Sequence, residues 1–247
     1  MMPQPYSADA GLRAKLRRRY ARLVHRRPAR LDLTGPTVSF TFDDAPASAA
    51  VAAAILERHQ ARGTYYLCAG LFGETGHMGR YIDATETADL AARGHEIACH
   101  SHGHVDAHRT DGAALLADSD RNTAALTALG GSARHFAFPY GEVSPAAKAR
   151  LADRYGSLRG VHAGLVRDGA DLNQLPAVGI EGDDGEAVAR LWIDRAVKTA
   201  GWLILFTHDV SDSPSPWGCT PGALDRLAAH ARAAGCALKT VGEVLDR

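Results

Sequence analysis

The pattern of apolar and polar positions changes repeatedly along the chain between the period of a strand and that of a helix. Short apolar or alternating runs predict strands at residues 37–42, 64–68, 96–99, 135–138, 158–162, 177–180, 202–207 and 237–241. Stretches rich in Ala and Leu predict helices at residues 47–60, 85–93, 111–129, 145–155, 186–199 and 221–234. This alternation is typical of parallel strands joined by helices, and it predicts an α/β fold.

The number of strand–helix units predicts how the sheet is arranged. Roughly seven or eight such units would close a sheet into a barrel, where functional residues lie at the carboxyl ends of the strands. We interpret the least regular stretches, residues 70–83, 164–175 and 210–220, as loops over a site at that end. No repeat or linker is found after residue 35, so residues 35–247 are interpreted as one domain.

Residues 1–34 are interpreted as a separate, basic segment with an amphipathic helix. Its large apolar residues recur at helical spacing and would form one stripe, made of Leu12, Leu16, Tyr20, Leu23 and Val24. Because apolar stripes usually face a core, we expect this stripe to pack onto the domain while the arginines are solvated. The alternative is that the helix lies on an anionic inner-membrane surface or binds a partner.

Length and composition exclude several classes of protein. The 247 residues carry a net charge of zero and are 46% hydrophobic, which predicts a substantial core and no general attraction to nucleic acid. The four cysteines form no Cys-x-x-Cys pair, so we expect free buried thiols in a reducing compartment. No apolar run approaches the roughly 20 residues that span a bilayer, and no secretory signal is evident. We therefore expect a cytoplasmic protein, either free or peripheral on the inner membrane.

Acidic and imidazole side chains follow several of the predicted strands. Asp43 and Asp44 end the first strand, His100 and His104 follow the third, and His208 follows the strand at 202–207. Because the carboxyl ends of parallel strands meet at one rim, these side chains are expected to converge.

The spacing of two of these histidines suits a metal ion. Side chains four residues apart lie on one face of a turn, so His100 and His104 can bind one cation together with the carboxylate of Asp44. His102 is expected to point elsewhere, and Cys99 to face the opposite side of its strand. The alternative is that these imidazoles are exposed loop residues.

The remaining groups suit hydrolysis of an amide. Asp43 and Asp44 can reach one site only if the chain turns there, as the nearby Pro46 indicates. Asp43 would then accept a proton from a water molecule that the cation activates, and His208 would donate one to the leaving amine. The backbone N–H of Tyr140 would stabilise the oxyanion. A purely structural hydrogen bond is the alternative for His208.

In their order, these segments resemble the motifs of the polysaccharide deacetylases of the NodB-homology fold, carbohydrate esterase family 4. The segment Thr-Phe-Asp-Asp is similar to the first motif and implies Asp43 as base and Asp44 as metal ligand. The segment His-Ser-His-Gly-His is similar to the second motif and implies His100 and His104 as ligands. The segment Leu-Ile-Leu-Phe-Thr-His-Asp is similar to the fifth motif and implies His208 as the acid.

The resemblance also implies a fold, a cofactor and substrate contacts. The family fold is a distorted (β/α)7 barrel, the usual reaction removes N-acetyl groups from amino sugars, and the implied metal is Zn²⁺, with Co²⁺ or another divalent transition metal as alternatives. The segment Phe-Ala-Phe-Pro-Tyr-Gly is similar to the third motif and implies substrate contacts for Pro139 and Tyr140. Leu205 would lie near the acyl methyl group. Trp217 would stack on a sugar ring or, alternatively, anchor its loop.

Three departures from the family pattern concern the site. Ala45 replaces the Gly that usually follows the first motif, and Ala137 replaces the Arg that usually restrains the catalytic Asp, so another cation is required. The acid that orients the catalytic His in the fourth motif is Glu181, Asp183 or Asp184.

The substrate class and two alternative functions follow from these observations. The chain is also similar to the deacetylases of bacterial adhesin biosynthesis, such as that of holdfast polysaccharide, which implies an N-acetylated exopolysaccharide or its lipid-linked precursor as substrate. The missing Arg favours the alternative of a catalytically impaired glycan-binding or membrane scaffold protein. A set of two His and one carboxylate also suits an Fe(II) oxygenase.

Overall fold

A curled sheet of parallel strands forms the centre of the protein, whose computed structural model describes residues 11–246. The strands are β1 (Thr37–Asp43), β2 (Thr64–Leu67), β3 (Thr75–Gly76), β4 (Gly79–Arg80), β5 (Glu96–Cys99), β6 (His135–Ala137), β7 (Ser157–Arg159), β8 (Val178–Gly179), β9 (Trp202–Thr207) and β10 (Ala237–Leu238). Seven of them follow the order β7–β6–β5–β2–β1–β9–β8, and β10 pairs with the start of β1. The order places β1 between β2 and β9, away from either edge.

The segment between β7 and β8 connects the two edges of this sheet. Leu175 forms a parallel bridge to Arg159, and the N–H of Gly160 donates to the carbonyl of Leu175 at 2.9 Å. The N–H of Ala177 donates to the carbonyl of His162 at 3.0 Å. These backbone hydrogen bonds join the two edges of the sheet, although no regular strand lies between β7 and β8. The predicted distorted (β/α)7 barrel of the NodB-homology type is therefore confirmed. The prediction that residues 164–175 lie over the site is wrong, because Val166 bridges Trp202, the first residue of β9, at the amino end of the strands.

The helices connect the strands and pack outside the sheet. They are α1 (Leu12–Ala21), α2 (Ala50–Arg58), α3 (Ala84–Ala92), α4 (Gly112–Ala128), α5 (Pro145–Leu151), α6 (Gly185–Thr199), α7 (Pro221–Ala233) and α8 (Val241–Leu245). Five begin at a side chain that accepts a hydrogen bond from a backbone N–H of the first turn, namely Asp83, Asp111, Ser144, Thr220 and Thr240. These caps explain why each helix begins where it does.

Apolar side chains pack on both faces of the sheet because successive strand residues point to opposite sides. In β9, Leu203 and Leu205 belong to the core between the sheet and α2, α6 and α7, whereas Trp202, Ile204 and Phe206 belong to a second core on the other face. Both cores are well buried. All four cysteines of the chain are free and buried, as the sequence predicted.

Two elements differ from the sequence prediction. The predicted loop at 70–83 contains the antiparallel hairpin β3–β4, which turns at His77 and Met78 and continues at Gly79 with a backbone φ of 94°. The predicted strand at 237–241 is shorter, because the capping box formed by Thr240 and Glu243 begins α8 at Val241.

The predicted orientation of the N-terminal helix is wrong. Its large apolar side chains are exposed, namely Leu12, Leu16, Tyr20 and Leu23. The face against the domain instead carries the small buried residues Ala14 and Ala21, together with Arg17 and Arg18, which form ion pairs with Glu142. Small residues let the helix approach α5 closely, which a row of large side chains would prevent.

Residues 1–10 of the predicted segment lie outside the described residues, and the domain boundary near residue 35 stays a prediction. Within residues 11–246, no helix has both the length and the apolar character needed to cross a membrane.

Candidate metal centre and active site

Asp44, His100 and His104 converge at the carboxyl ends of β1 and β5. Asp44 follows β1 directly and has a left-handed backbone with a φ of 57°, so the chain turns between Asp43 and Asp44. His100 follows β5, and His104 also has a left-handed backbone, with a φ of 51°. One ligand atom of each of the three side chains lies within 4.8 Å of the others, and all three are buried.

The orientation of these side chains fits a bound cation. The Nδ1–H of His100 donates to the carbonyl of Ala137 at 2.8 Å, which leaves the lone pair on Nε2. That Nε2 lies 3.3 Å from Asp44 Oδ1, and the Nε2 of His104 lies 3.0 Å from it. Asp44 Oδ1 is buried and has no well-oriented hydrogen bond within the described chain. Two imidazoles and one carboxylate are a ligand set that suits Zn²⁺.

The side chain of Asp43 points to a buried arginine. The guanidinium of Arg159, at the end of β7, donates from Nη2 to Asp43 Oδ1, and both side chains are almost fully buried. The guanidinium also lies 5.0 Å from the ring centroid of Tyr66 and 5.2 Å from that of Phe206. A planar cation that lies near two rings and is bonded to a carboxylate has little freedom to move, so the Asp43 side chain is held in place.

Arg159 is the cation beside Asp43 that the sequence required in place of the Arg missing at Ala137. Ala137 is the register partner of Arg159 across the β6–β7 pair, and it packs with Tyr66 and Ala98 in a small buried cluster. The short side chains of Ala98 and Ala137 leave room for the long side chain that reaches Asp43. Arg159 was not among the sequence-predicted site residues, although a charged residue inside a predicted strand is a usable signal.

His208 is held at the carboxyl end of β9 by two acceptors. Its Nδ1 lies 3.3 Å from Glu181 Oε1 and 3.2 Å from the carbonyl of Trp217. The same carbonyl accepts the backbone N–H of His208 at 3.1 Å and the hydroxyl of Thr207 at 3.3 Å. Both acceptors favour a proton on Nδ1, so Nε2 is the ring nitrogen available to the cavity. Of the three acids considered from the sequence, Glu181 is the one that contacts His208.

The charges of the site shift the pKa values of two of its members. Burial by itself raises the pKa of Asp44, but the neighbouring imidazoles of His104 and His100 outweigh burial and hold that pKa well below its usual range. Burial by itself lowers the pKa of His208, but the hydrogen bond to Glu181 and the charges of Asp44 and Asp43 outweigh it and raise the pKa to about 9. His208 is therefore a cation at neutral pH.

These groups surround one open cavity at the mouth of the barrel. Its lining consists of Asp43, Asp44, His77, Met78, His100, His104, Phe138, Tyr140, Gly141, Val161, Glu181, Phe206, His208 and Trp217. Two of the predicted loops meet over it, since the rings of His77 and Trp217 pack edge to face at 5.1 Å. His102 and Cys99 are not part of the lining, as expected.

The four sequence-predicted substrate contacts have different positions. Tyr140 and Trp217 line the cavity, and the Tyr140 ring packs against that of His104 at 4.4 Å. Pro139 is buried beneath the turn and is not in the lining. The prediction for Leu205 is wrong, because strand alternation turns its side chain into the core, and the next residue, Phe206, faces the cavity instead.

Comparison with known families assigns the chain. The family model described as "Polysaccharide deacetylase" matches residues 30–156, which is about half of the chain and includes Asp43, Asp44, His100 and His104. The chain belongs to the polysaccharide deacetylase family. The matched region ends before Glu181 and His208, so these two residues rest on the structure. No match was found among curated protein sequences.

Solved structures of similar fold come from the same family. The Bc1960 peptidoglycan N-acetylglucosamine deacetylase is 15% identical, with a TM-score of 0.59 over 87% of this deacetylase-family chain and 91% of its own. A structure titled "T48 deacetylase with substrate" is 16% identical, with a TM-score of 0.62 over 88% and 94%. BA3943 from Bacillus anthracis, titled a CE4 family pseudoenzyme, is 15% identical, with a TM-score of 0.61 over 87% and 67%. At these identities the likeness shows the fold.

Proposed function

We propose that this protein is a metal-dependent hydrolase that removes N-acetyl groups from N-acetylhexosamine units of an exopolysaccharide or of its lipid-linked precursor. The observation that carries the proposal is one cavity in which the Asp44–His100–His104 cluster lies between a restrained carboxylate, Asp43, and a cationic imidazole, His208. Hydrolysis of an amide requires a base for the water and an acid for the leaving amine. The cavity supplies one of each.

The chain's own residues divide the chemistry as follows. A divalent cation such as Zn²⁺, held by Asp44, His100 and His104, would polarise the acyl oxygen and make the attacking water more acidic. Asp43 accepts the proton of that water, and Arg159 holds its carboxylate in place. His208 then donates a proton from Nε2 to the leaving nitrogen while Glu181 and the Trp217 carbonyl hold Nδ1. The products are acetate and the free amine of the sugar.

The lining of the cavity supports a sugar substrate. The half-buried ring of Trp217 offers an apolar face on which a pyranose can stack, and Tyr140 lies in a tight turn with a left-handed backbone at the same rim. We assign the backbone N–H of Tyr140 to the oxyanion. The similar structure that is named a peptidoglycan N-acetylglucosamine deacetylase supports an N-acetylated hexosamine as the substrate unit. A cytoplasmic protein would meet this substrate as a lipid-linked intermediate at the inner membrane.

Release of acetate tests the proposal directly. Purified protein is incubated with N-acetylated oligosaccharides, first with a chelator and then with Zn²⁺ or Co²⁺ restored, and acetate is measured. We expect release to stop with the chelator and to return with the metal. The variants Asp43→Asn and His208→Ala should each lose about 10²–10⁴-fold in rate. Asp225→Asn and His230→Ala, which change the same residue types outside the cavity, should keep full activity. Full activity in the first pair would contradict the assigned roles.

A second candidate is a catalytically impaired glycan-binding protein of the same fold. The substitution at Ala137 and the similar structure titled a pseudoenzyme favour it. Against it, Arg159 supplies the cation that Ala137 lacks, and base, acid and ligand cluster are all present. Calorimetric binding of the oligosaccharides without any acetate release, in protein loaded with zinc, would support this second candidate.

A further inference from the structure

The N-terminal helix presents an apolar stripe to the solvent. Leu12, Leu16 and Tyr20 follow one another at intervals of four residues, which places them on one side of α1, and Leu23 continues the row in the turn that follows. Their side chains are 74%, 58%, 58% and 68% exposed, in that order. Exposed leucines are common singly, but four large apolar side chains in one row are a typical feature of an interaction surface. We call these four residues the outward stripe.

The rest of the helix is fixed to the domain, so the stripe has a defined direction. Ala14 and Ala21 are buried on the opposite side of α1, and Lys148 of α5 donates to the carbonyl of Ala21 at 2.8 Å. Arg17 and Arg18 both form ion pairs with the buried carboxylate of Glu142. Turning the stripe toward the domain would break these contacts.

Unpaired cations border the outward stripe. Lys15, Arg19 and Arg22 are exposed, and none of them forms an ion pair with an acidic side chain of residues 11–246. Arg26 and Arg30 extend the same charge along the chain, and residues 10–30 contain no Asp or Glu. An apolar row bordered by basic side chains is the pattern of helices that lie in the interface of an anionic membrane. Two copies of this cationic surface would repel each other, which argues against self-association through it.

We propose that the outward stripe docks on an anionic phospholipid bilayer. The leucines and the tyrosine would enter the boundary between headgroups and acyl chains, while the lysine and arginines contact the lipid phosphates. The inference stands on the described surface alone and does not require the proposed deacetylase activity. The helix is anchored beside the cavity, because Glu142, which pairs with Arg17 and Arg18, directly follows the cavity residue Gly141.

Sedimentation with vesicles tests the proposal. The full chain is mixed with vesicles of phosphatidylcholine alone or of phosphatidylcholine with about one third phosphatidylglycerol, a content that gives a strongly negative surface. We expect binding to the anionic vesicles that weakens as salt is raised and is absent with phosphatidylcholine alone. Equal binding to both vesicles, or binding to neither, would overturn the proposal.

Matched variants test whether vesicles bind to the outward stripe or to another part of the surface. Leu16→Glu with Leu23→Glu should weaken vesicle binding by at least tenfold, and Arg19→Gln or Arg22→Gln should each weaken it by about fivefold. Leu191→Glu on α6, where the side chain is 60% exposed, is the matched control and should bind like the unaltered protein. His208→Ala should bind vesicles normally even without activity, so loss of docking and loss of catalysis are distinguishable. If the stripe variants changed only the oligomeric state in sedimentation velocity, a second copy would be the occupant and the lipid assignment would be wrong.

Discussion

Arg159 carries a positive charge into the interior of the sheet, where a lone cation would be strongly unfavourable. Its charge is balanced by Asp43, and its plane lies near two aromatic rings. In the family pattern the restraining Arg stands at the position of Ala137, and here it comes from the register partner on the adjacent strand. A guanidinium group therefore reaches Asp43 although Ala137 has no charged side chain.

We predict that Arg159→Leu lowers kcat by about 10- to 100-fold, because a charge-assisted hydrogen bond to the base contributes about 1.5–3 kcal/mol. KM and zinc content should change little, since Arg159 itself is not part of the cavity lining. The double variant Ala137→Arg with Arg159→Leu should recover part of the lost kcat by returning the cation from the neighbouring strand. An Arg159→Leu protein with unchanged kcat would show that Asp43 needs no such partner.

The hydrogen bond to Glu181 raises the pKa of His208. It is the first charged residue after β8, and its carboxylate reaches the ring nitrogen that faces away from the cavity. Because His208 has to be protonated to donate, the rate should fall as the pH rises through the pKa of His208, which the surrounding acids raise to about 9.

We predict that Glu181→Gln moves the alkaline limb of the kcat–pH profile to lower pH. Removing a negative charge beside His208 lowers its pKa, so the imidazole loses its proton earlier as the pH rises. The measurement is acetate release from neutral to strongly alkaline pH. Asp183→Asn, two residues along the same loop and exposed, should leave the limb in place. Superimposable profiles for Glu181→Gln and the unaltered protein would exclude Glu181 as the partner.

At the scale of elements, α4 is hydrogen-bonded to the carboxyl ends of β2 and β5, next to the candidate ligand cluster. Its buried Asn122 donates to the carbonyl of Leu67 at 2.8 Å and to the Cys99 sulfur at 3.1 Å, and accepts the N–H of Ala69 at 2.8 Å. One side chain thus bonds to backbone groups at the end of β2 and just beyond it, and contacts the last residue of β5. His100 directly follows that residue.

We predict that Asn122→Leu lowers the free energy of unfolding by about 1–3 kcal/mol, because the Ala69 N–H would lose its partner and the Leu67 carbonyl would keep only the N–H of His100. Urea unfolding measures the loss. Ala124→Leu, an exposed position on the same helix, should stay within about 0.5 kcal/mol of the unaltered protein. If Asn122→Leu were as stable as that control, α4 would not act as a tie between the strands.

At the scale of the whole molecule, the metal cluster joins segments that are far apart in the chain. Asp44 lies after β1, His100 and His104 lie after β5, and the carbonyl that orients His100 belongs to β6. A ligand that binds these residues only when the barrel is formed stabilises the entire fold by mass action.

We predict that zinc at about 100 times its dissociation constant stabilises the protein by about 2.7 kcal/mol. For a chain of this length the midpoint of thermal unfolding should rise by about 5–10 °C. Differential scanning fluorimetry with and without chelator measures the shift. His104→Ala should abolish it, and His102→Ala, a change of the same residue type in the same loop, should retain it. A shift of equal size in both variants would place the zinc elsewhere.

The residue pattern alone predicted the class of fold and named Asp44, His100 and His104 as a candidate ligand cluster. Period-two apolar runs separated by helical stretches can only be buried as strands with helices packed on them, and parallel strands bring their carboxyl ends to one rim. Asp44, His100 and His104 were therefore expected at the same rim, and the structure brings them together there.

The tertiary structure decided which residues distant in the sequence come into contact and which side of each helix faces the domain. The contact between Arg159 and Asp43 joins residues 116 positions apart, and the choice of Glu181 among three nearby acids depends on how β8 ends beside β9. Likewise, the spacing of Leu12, Leu16 and Tyr20 showed that they share a side of α1, but only the packing of Ala14 and Ala21 turned that side outward. Periodicity determines which residues lie together on an element, whereas the partner of that surface depends on the sum of all the other contacts in the fold.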